Sequence, residues 1–383
     1  MKRACWLLIV LWSFAWAPQR ALAAQLEVGG KSSFLIDVAT GTVLHEANAH
    51  APLAPASVTK VMTMLLIMEA IDSGAIHWED SVTTSEAAAA KGGSQVYLKE
   101  GETMTVTDML KSIAVSSAND CACAMAEHIA GSEAAFVERM NTRAKELGMN
   151  DTHFVNCTGL DDSEEAKNHR TSAHDIAIMS RQLLKYHPEI KKFTTIWMDS
   201  VRNGAFGLSN TNKLVRFYDG ATGLKTGFTS GAGYCLSASA MRDGMELIAV
   251  VMGAENSKER FNTCKSLLDH GFANYTLLQP DLTETGSVPV KLGKAALVSP
   301  ILGDQASLLI DKAQKNTITT DVTLEEILTA PVSQGQQLGM LTVRSGEQIL
   351  KEIPLVAGES VERMTFGDLF LIVLRKTAMA ANL

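Results

Sequence analysis

The chain has 383 residues, of which 46% are hydrophobic, 20% charged and 6% aromatic, and its 34 Lys and Arg face 42 Asp and Glu for a formal charge of −8. That length predicts two to three domains with ample chain for a core, and 28 Gly and 9 Pro are ordinary counts that exclude disordered and collagen-like classes. The acidic balance excludes nucleic acid as a partner, which needs a basic face.

Lys2 and Arg3 precede an apolar run, Ala4 to Leu11, that continues to Ala17. Pro18-Gln19-Arg20 ends the run and Ala21-Leu22-Ala23 follows. This order predicts a secretory signal peptide over residues 1–23, cleaved after Ala23 or Ala24. The apolar stretch falls short of the roughly 20 residues that span a bilayer, which argues against an uncleaved anchor. Cys5 lies inside the run and not at the cleavage site, so no lipoprotein is expected. Removal takes away three cations and no anion, which brings the charge from −8 to −11. Five cysteines remain, Cys121, Cys123, Cys157, Cys235 and Cys264. An odd count leaves at least one thiol free, and with no Cys-x-x-Cys pair they read as small buried apolar residues.

Ser33–Val38 and Thr42–His45, split by Ala39-Thr40-Gly41, predict a β-hairpin. Val61, Met64, Leu65 and Met68 form a helical stripe within Val58–Ala70. Residues 86 to about 197 read as helices with loops. Three strand-like runs follow, Gly223–Thr229, Tyr234–Met241 and Glu246–Gly253, with Arg242-Asp243-Gly244 as a turn, and a helix near Ser257–Tyr275 closes the region. The pattern predicts an α+β domain on one antiparallel sheet, residues 24–278. From Gln279 to residue 362, runs at Ser287–Leu292, Thr317–Leu324, Leu338–Val343 and Ile349–Val356 predict a small all-β domain.

Three triplets occur once each: Ser57-Val58-Thr59-Lys60, Ser117-Ala118-Asn119 and Lys225-Thr226-Gly227. Each alone is weak, since Ser57 or Ser117 could serve as an N-cap. Their order resembles the Ser-x-x-Lys, Ser-x-Asn, Lys-Thr-Gly series of penicillin-binding proteins and class A β-lactamases. A helix brings Lys60 one turn from Ser57. A serine hydroxyl attacks well only when a neighbour takes its proton. Lys60 serves only as a neutral amine, so its pKa must fall from about 10.4 toward neutrality, at about 4 kcal/mol. Burial beside a second cation, Lys225, acts in that direction. Ser117 can relay a proton to the leaving nitrogen, and Asn119 can hold Lys60 and a substrate amide. A peptide can add to the Lys225 strand, with N–H groups of Ser57 and Phe228 as an oxyanion hole. Thr226, Thr229 and Arg260 are candidates for a terminal carboxylate.

With Pro55–Lys60, Ser117–Asp120, Asn156–Leu160 and Gly223–Thr229, followed by Ala232-Gly233-Tyr234, the chain resembles the serine-type D-alanyl-D-alanine carboxypeptidases, the low-molecular-weight penicillin-binding proteins. The likeness continues through Ala330–Gly335 and Ile353–Ala357. It implies a transpeptidase/β-lactamase-like domain followed by the β-domain, a Ser57 acyl-enzyme, and removal of the terminal D-alanine from peptidoglycan stem peptides in cell-wall synthesis. It also implies substrate contacts from Asn119 and from Lys225 through Thr229, Gly227 included, and β-lactams as acylating inhibitors. Two departures stand out: Asn168–Ala173 replaces a Gly-His-Tyr-Ser-Thr-Ala segment, and Asp161–Glu165 in front of it is unusually acidic.

A class A β-lactamase is the rival hydrolase, because Glu164 and Asn168 have the spacing of its Glu-x-x-Leu-Asn loop, although Lys167 replaces the leucine. A catalytically silent penicillin-binding scaffold is the non-enzymatic alternative. His169 and His174, with Asp175, fit no metal-ligand spacing, so neither metal nor organic cofactor is expected. At the C-terminus, Phe366, Leu369, Phe370 and Val373 recur at helical spacing ahead of Arg375-Lys376. Family likeness suggests that residues 363–383 form an amphipathic membrane anchor, which would hold the exported protein at the outer face of the membrane.

Overall fold

The computed structural model describes residues 26–380 apart from 27, 284, 304 and 305. The predicted signal peptide and its cleavage site lie outside the described residues. The main elements of the first domain are strands β1 (Ser32–Asp37) and β2 (Val43–Ala47), helices α1 (Lys60–Asp72), α2 (Val106–Ser116), α3 (Asn119–Ala130), α4 (Glu133–Glu146) and α5 (Ala173–Tyr186), strands β3 (Ala221–Thr229), β4 (Gly233–Arg242) and β5 (Met245–Ala254), and helix α6 (Ser257–Asn274). The strands form one antiparallel sheet in the order β2-β1-β5-β4-β3, as the hairpin and the three later runs predict.

Alternate strand residues separate two cores. Phe34, Ile36, Ile248, Val250 and Met252 face the helices α1 to α5, while Leu35, Leu247, Ala249 and Val251 face α6. Strand β5 is therefore buried along its whole length, which accounts for its nearly unbroken apolar sequence. Helix α1 shows the same logic. The sequence predicts a stripe on one face, whereas Lys60 through Met68 are all buried, because α1 runs through the centre of the helical layer. The single charge in that stretch, Lys60, is thereby carried into the interior.

The four β-branched runs of the second region become Val288–Lys291, Ile318–Leu324, Gln337–Ser345 and Gln348–Ala357. The last three join with Pro300–Leu302 in a four-stranded sheet. Tyr275–Leu278, just after α6, pairs with Leu308–Asp311, so a sheet links the end of the first region to the second. A final helix, α7 (Phe366–Ala380), leaves Phe366, Phe370, Leu371, Val373 and Leu374 exposed. The side chains of Arg375 and Lys376 lie outside the described residues. Among the described residues no helix is long and apolar enough to cross a membrane.

Candidate active site

Ser57 stands in a single 3-10 turn, Ala56–Thr59, that feeds directly into α1 at Lys60. The turn is wedged from two sides. On β3, a Cβ added to Gly227 would lie 2.6 Å from the Pro55 carbonyl oxygen and 3.1 Å from the Ser57 nitrogen. From the 156–160 loop, a Cβ on Gly159 would lie 1.8 Å from the Ala56 carbonyl oxygen, and Gly159 also has φ +80°. Glycine at 227 is thus a requirement of space, and at 159 of both space and backbone. The Lys-Thr-Gly strand packs on the backbone of the Ser57 turn.

Lys60 Nζ lies 3.1 Å from Ser57 Oγ and donates to the Thr158 carbonyl at 2.8 Å. Its side chain is fully buried, and burial pushes its pKa down to about 7, against smaller upward pulls from Cys157 and Asp120. Lys225, 1% exposed, donates to the Thr226 carbonyl at 2.9 Å. Burial, then Lys60, then Arg260 hold its pKa well below the usual lysine range. Two buried lysines converge on the site, with no carboxylate in ion-pair contact with either among the described residues. Desolvation alone brings an amine into the range where it accepts a proton at neutral pH.

Ser117 ends α2 in the left-handed region, with φ 64° and ψ 28°, and its N–H donates to the Ser112 carbonyl. For a serine that backbone costs about 1 kcal/mol, the kind of local strain that gathers at functional sites. Asn119 Nδ2 donates to the Gly92 carbonyl at 2.8 Å. Its Oδ1 is buried with no partner, so the contact with Lys60 expected from the sequence is not made and an acceptor stays available for another donor. Thr226 Oγ1 donates to Thr211 Oγ1 at 2.7 Å, and Thr229 Oγ1 accepts from the Ala232 N–H at 3.1 Å. Phe228 is half exposed, its ring 4.3 Å from that of Tyr234. Arg260 sits behind the strand, where Nη1 donates to the Gly227 carbonyl at 2.8 Å and the Cys235 carbonyl at 3.3 Å.

Residues 19–256 match the family model described as D-alanyl-D-alanine carboxypeptidase, and residues 272–363 match that of the penicillin-binding protein 5 C-terminal domain. The chain belongs to the D-alanyl-D-alanine carboxypeptidase family. It is 44% identical to D-alanyl-D-alanine carboxypeptidase DacF of Bacillus subtilis, over 90% of this chain and 88% of that one. Among solved structures it resembles penicillin binding protein 5 from Haemophilus influenzae, at 30% identity and a TM-score of 0.72, covering 88% of this chain and 98% of that one. It also resembles the ampicillin-bound penicillin-binding protein D2 from Listeria monocytogenes, at 32% identity and a TM-score of 0.59 over 64% of this chain and 99% of that one.

As a member of this serine-type carboxypeptidase family, the chain departs from the β-lactamase alternative at a definite place. Glu164 pairs with Lys167 at 2.5 Å on the surface, with 84% of its side chain exposed, and a carboxylate so solvated is not held to activate a water. The sequence reading also passed over three supports of the nucleophile turn. His169 accepts from the Val155 N–H at Nδ1, so Nε2 carries the proton and donates to Thr59 Oγ1 at 2.8 Å, which in turn donates to the Ala56 carbonyl. Burial pushes His169 down to about 4, so the ring stays neutral in this chain of bonds. Asn156 Oδ1 accepts from the N–H groups of Thr158 and Gly159, and this turn presents the Thr158 carbonyl to Lys60. Asn156 falls within the family-like segment Asn156–Leu160, and His169 keeps the histidine of the segment that otherwise departs at Asn168–Ala173; these were the available signals.

Proposed function

We propose that the chain removes the terminal D-alanine from peptidoglycan stem peptides through a Ser57 acyl-enzyme. The observation that carries this reading is the buried Lys60 amine 3.1 Å from Ser57 Oγ, with a pKa near 7. In this mechanism neutral Lys60 takes the Ser57 proton as Oγ attacks the penultimate carbonyl carbon. The N–H groups of Ser57 and Phe228 receive the oxyanion, which a peptide lying along β3 would present to them. Ser117 passes the proton to the leaving D-alanine nitrogen. Water then hydrolyses the ester, with Lys60 again as base. Asn119, through its unpartnered Oδ1, orients the substrate amide.

Specificity for a chain end follows from positive charge at the far side of the site. Lys225, Thr226 and Thr229 belong to β3 itself, and the guanidinium of Arg260 lies behind it. In this reading the hydroxyl of Thr229, which only accepts within the protein, donates to the terminal carboxylate. A β-lactam presents a carboxylate and a strained amide in the same relation, so it acylates Ser57 and leaves slowly.

Residues 1–23 direct export, residues 24–278 carry catalysis, 279–362 form the β-domain, and α7 rests on the outer face of the membrane. Its exposed apolar side chains suit an interfacial helix. The decisive experiment incubates the protein and Ser57→Ala with a pentapeptide ending in D-Ala-D-Ala and measures D-alanine. Release by the parent and none by Ser57→Ala is expected. Equal release by both overturns the reading.

A further inference from the structure

Away from the active site, His50, Asp151 and His174 meet on the surface beside the N-terminus of α5. One nitrogen or carboxylate oxygen from each lies within 4.8 Å of the others, and among the described residues this is the one group of three such side chains that converges. The sequence pairs His174 with His169, which the structure separates: His169 is buried under the nucleophile turn, while the partners of His174 come from two distant segments. His50 Nδ1 lies 2.7 Å from Asp151 Oδ2, and the two imidazoles lie 4.5 Å apart, centre to centre. His174 Nδ1 lies 2.9 Å from Asp175 Oδ1.

Asp175 makes the arrangement more than a surface cluster. This carboxylate is 1% exposed and is held by the Asp151 N–H at 2.9 Å, Thr152 Oγ1 at 2.7 Å and, through its own N–H, the Ser172 hydroxyl. An ionised carboxylate only accepts, so His174 Nδ1 carries the proton and Nε2 keeps the lone pair. A buried carboxylate fixing a histidine tautomer in this way is the usual support behind a metal-bound imidazole. The same Asp175 also orients the backbone of Asp151, so one buried group sets two of the three donors. His50, with 63% of its side chain exposed, is free to adjust its ring. Tetrahedral ligand atoms at about 2.1 Å from an ion stand roughly 3.4 Å apart, a spacing within reach of this cluster.

We propose that His50, Asp151 and His174 form a binding site for a borderline divalent transition-metal ion, completed by water. Two imidazoles and one carboxylate suit zinc and its neighbours and are poor ligands for magnesium or calcium. The ion would clasp three segments. His50 belongs to the stretch that leads to Ser57, Asp151 to the loop after α4, and His174 to the first turn of α5, whose N–H already bonds the Ala49 carbonyl at 3.0 Å. Occupancy would anchor the approach to the nucleophile turn without entering the site.

The test is equilibrium dialysis of the purified protein against zinc alone, and separately magnesium alone, with thermal unfolding in parallel. The parent should retain one zinc per chain and no magnesium, and excess zinc should raise its midpoint by about 5 °C. His50→Ala, a surface change that leaves folding intact, should weaken zinc binding at least about tenfold and remove the shift. Asp175→Asn, which keeps the shape of the support, should weaken it by about 10- to 100-fold. No retention of zinc by the parent, or retention undiminished in His50→Ala, overturns the proposal.

Discussion

Two lysines are tied to the same loop, residues 156–160, Lys60 directly and Lys91 through Glu133, and the fold treats them in opposite ways. Lys91 is paired with Glu133 at 2.5 Å, and Glu133 in turn accepts from the Cys157 N–H. Lys60 meets the next residue along, donating to the Thr158 carbonyl, and no carboxylate among the described residues pairs with it. Partial burial is the largest single influence on Lys91 and pushes its pKa down, but the Glu133 hydrogen bond and the attraction of Cys123, Glu133 and Cys157 together raise it, whereas burial lowers that of Lys60 to about 7. The lesson is that a buried lysine denied a counter-ion is pushed toward the neutral form: the loop offers Lys60 only a carbonyl, while Glu133 of α4, steadied by the same loop, pairs with Lys91.

The strongest way to break this contrast is to remove the amine. Lys60→Met should lower the rate of Ser57 acylation by a reporter β-lactam by about 10²- to 10⁴-fold, the usual range for a positioned base. In the parent the neutral amine is the active form, so the acylation rate should rise with pH up to about 7 and then level. A profile flat from pH 5 to 9 would remove Lys60 from the role of base. The same variant reports on stability. With a folded pKa below its unfolded value, Lys60 binds fewer protons in the folded state, so its destabilising effect is full at or below about pH 7 and shrinks as pH rises toward 10.5. Denaturant unfolding should therefore find Lys60→Met more stable than the parent at pH 7, with the advantage narrowing by pH 10.

Gly227→Ala tests whether the site is built by contact between β3 and the nucleophile turn. Its Cβ would meet the Pro55 carbonyl, which is backbone and cannot swing aside. The strand or the turn must shift by several tenths of an ångström, which moves Ser57 relative to the Phe228 N–H proposed to receive the oxyanion. A loss of about 100-fold in acylation is expected, with about 1–3 kcal/mol of stability. Parent-like acylation kinetics would show that this packing does not position the serine.

Much of this was legible in the sequence. Strand runs at 223–229, 234–241 and 246–253 emerge within a residue or two of β3, β4 and β5, because alternation and apolar content are local properties. The Ser57–Lys60 contact was legible because a single helical turn fixes it. What escaped was set by long-range packing. Nothing near Lys60 in the chain reveals that α1 is buried on every side, nor that the expected Asn119 partner would turn to Gly92 instead. Arg260 reads as a carboxylate ligand at the start of a helix, yet its Nη1 bonds reach strands β3 and β4, a relation that only the folded sheet creates. His50 and His174 meet for the same reason.

Glu133→Gln gives the smallest effect and the sharpest version of the comparison. Lys91 and Glu133 keep 24% and 21% of their side chains exposed, so water partly compensates the lost partner, and a cost of about 1–2 kcal/mol is expected, below that of breaking a fully buried pair. The sign of the pH dependence follows from both groups. Glu133 is held below its usual pKa, so its contribution is present above about pH 4.5 and is lost as pH falls through the lowered folded value; Lys91 is held above its own, so its contribution is present below about pH 10.5 and lost as pH rises further. The parent-minus-variant difference should therefore be level from about pH 5 to 10, where that for Lys60→Met slopes. Because the substitution leaves Lys60 buried and bonded to Thr158, the acylation profile should keep its midpoint near pH 7. A midpoint displaced by a full unit would mean that the loop transmits the Glu133 charge to the base, and the two lysines would then be one electrostatic system instead of two.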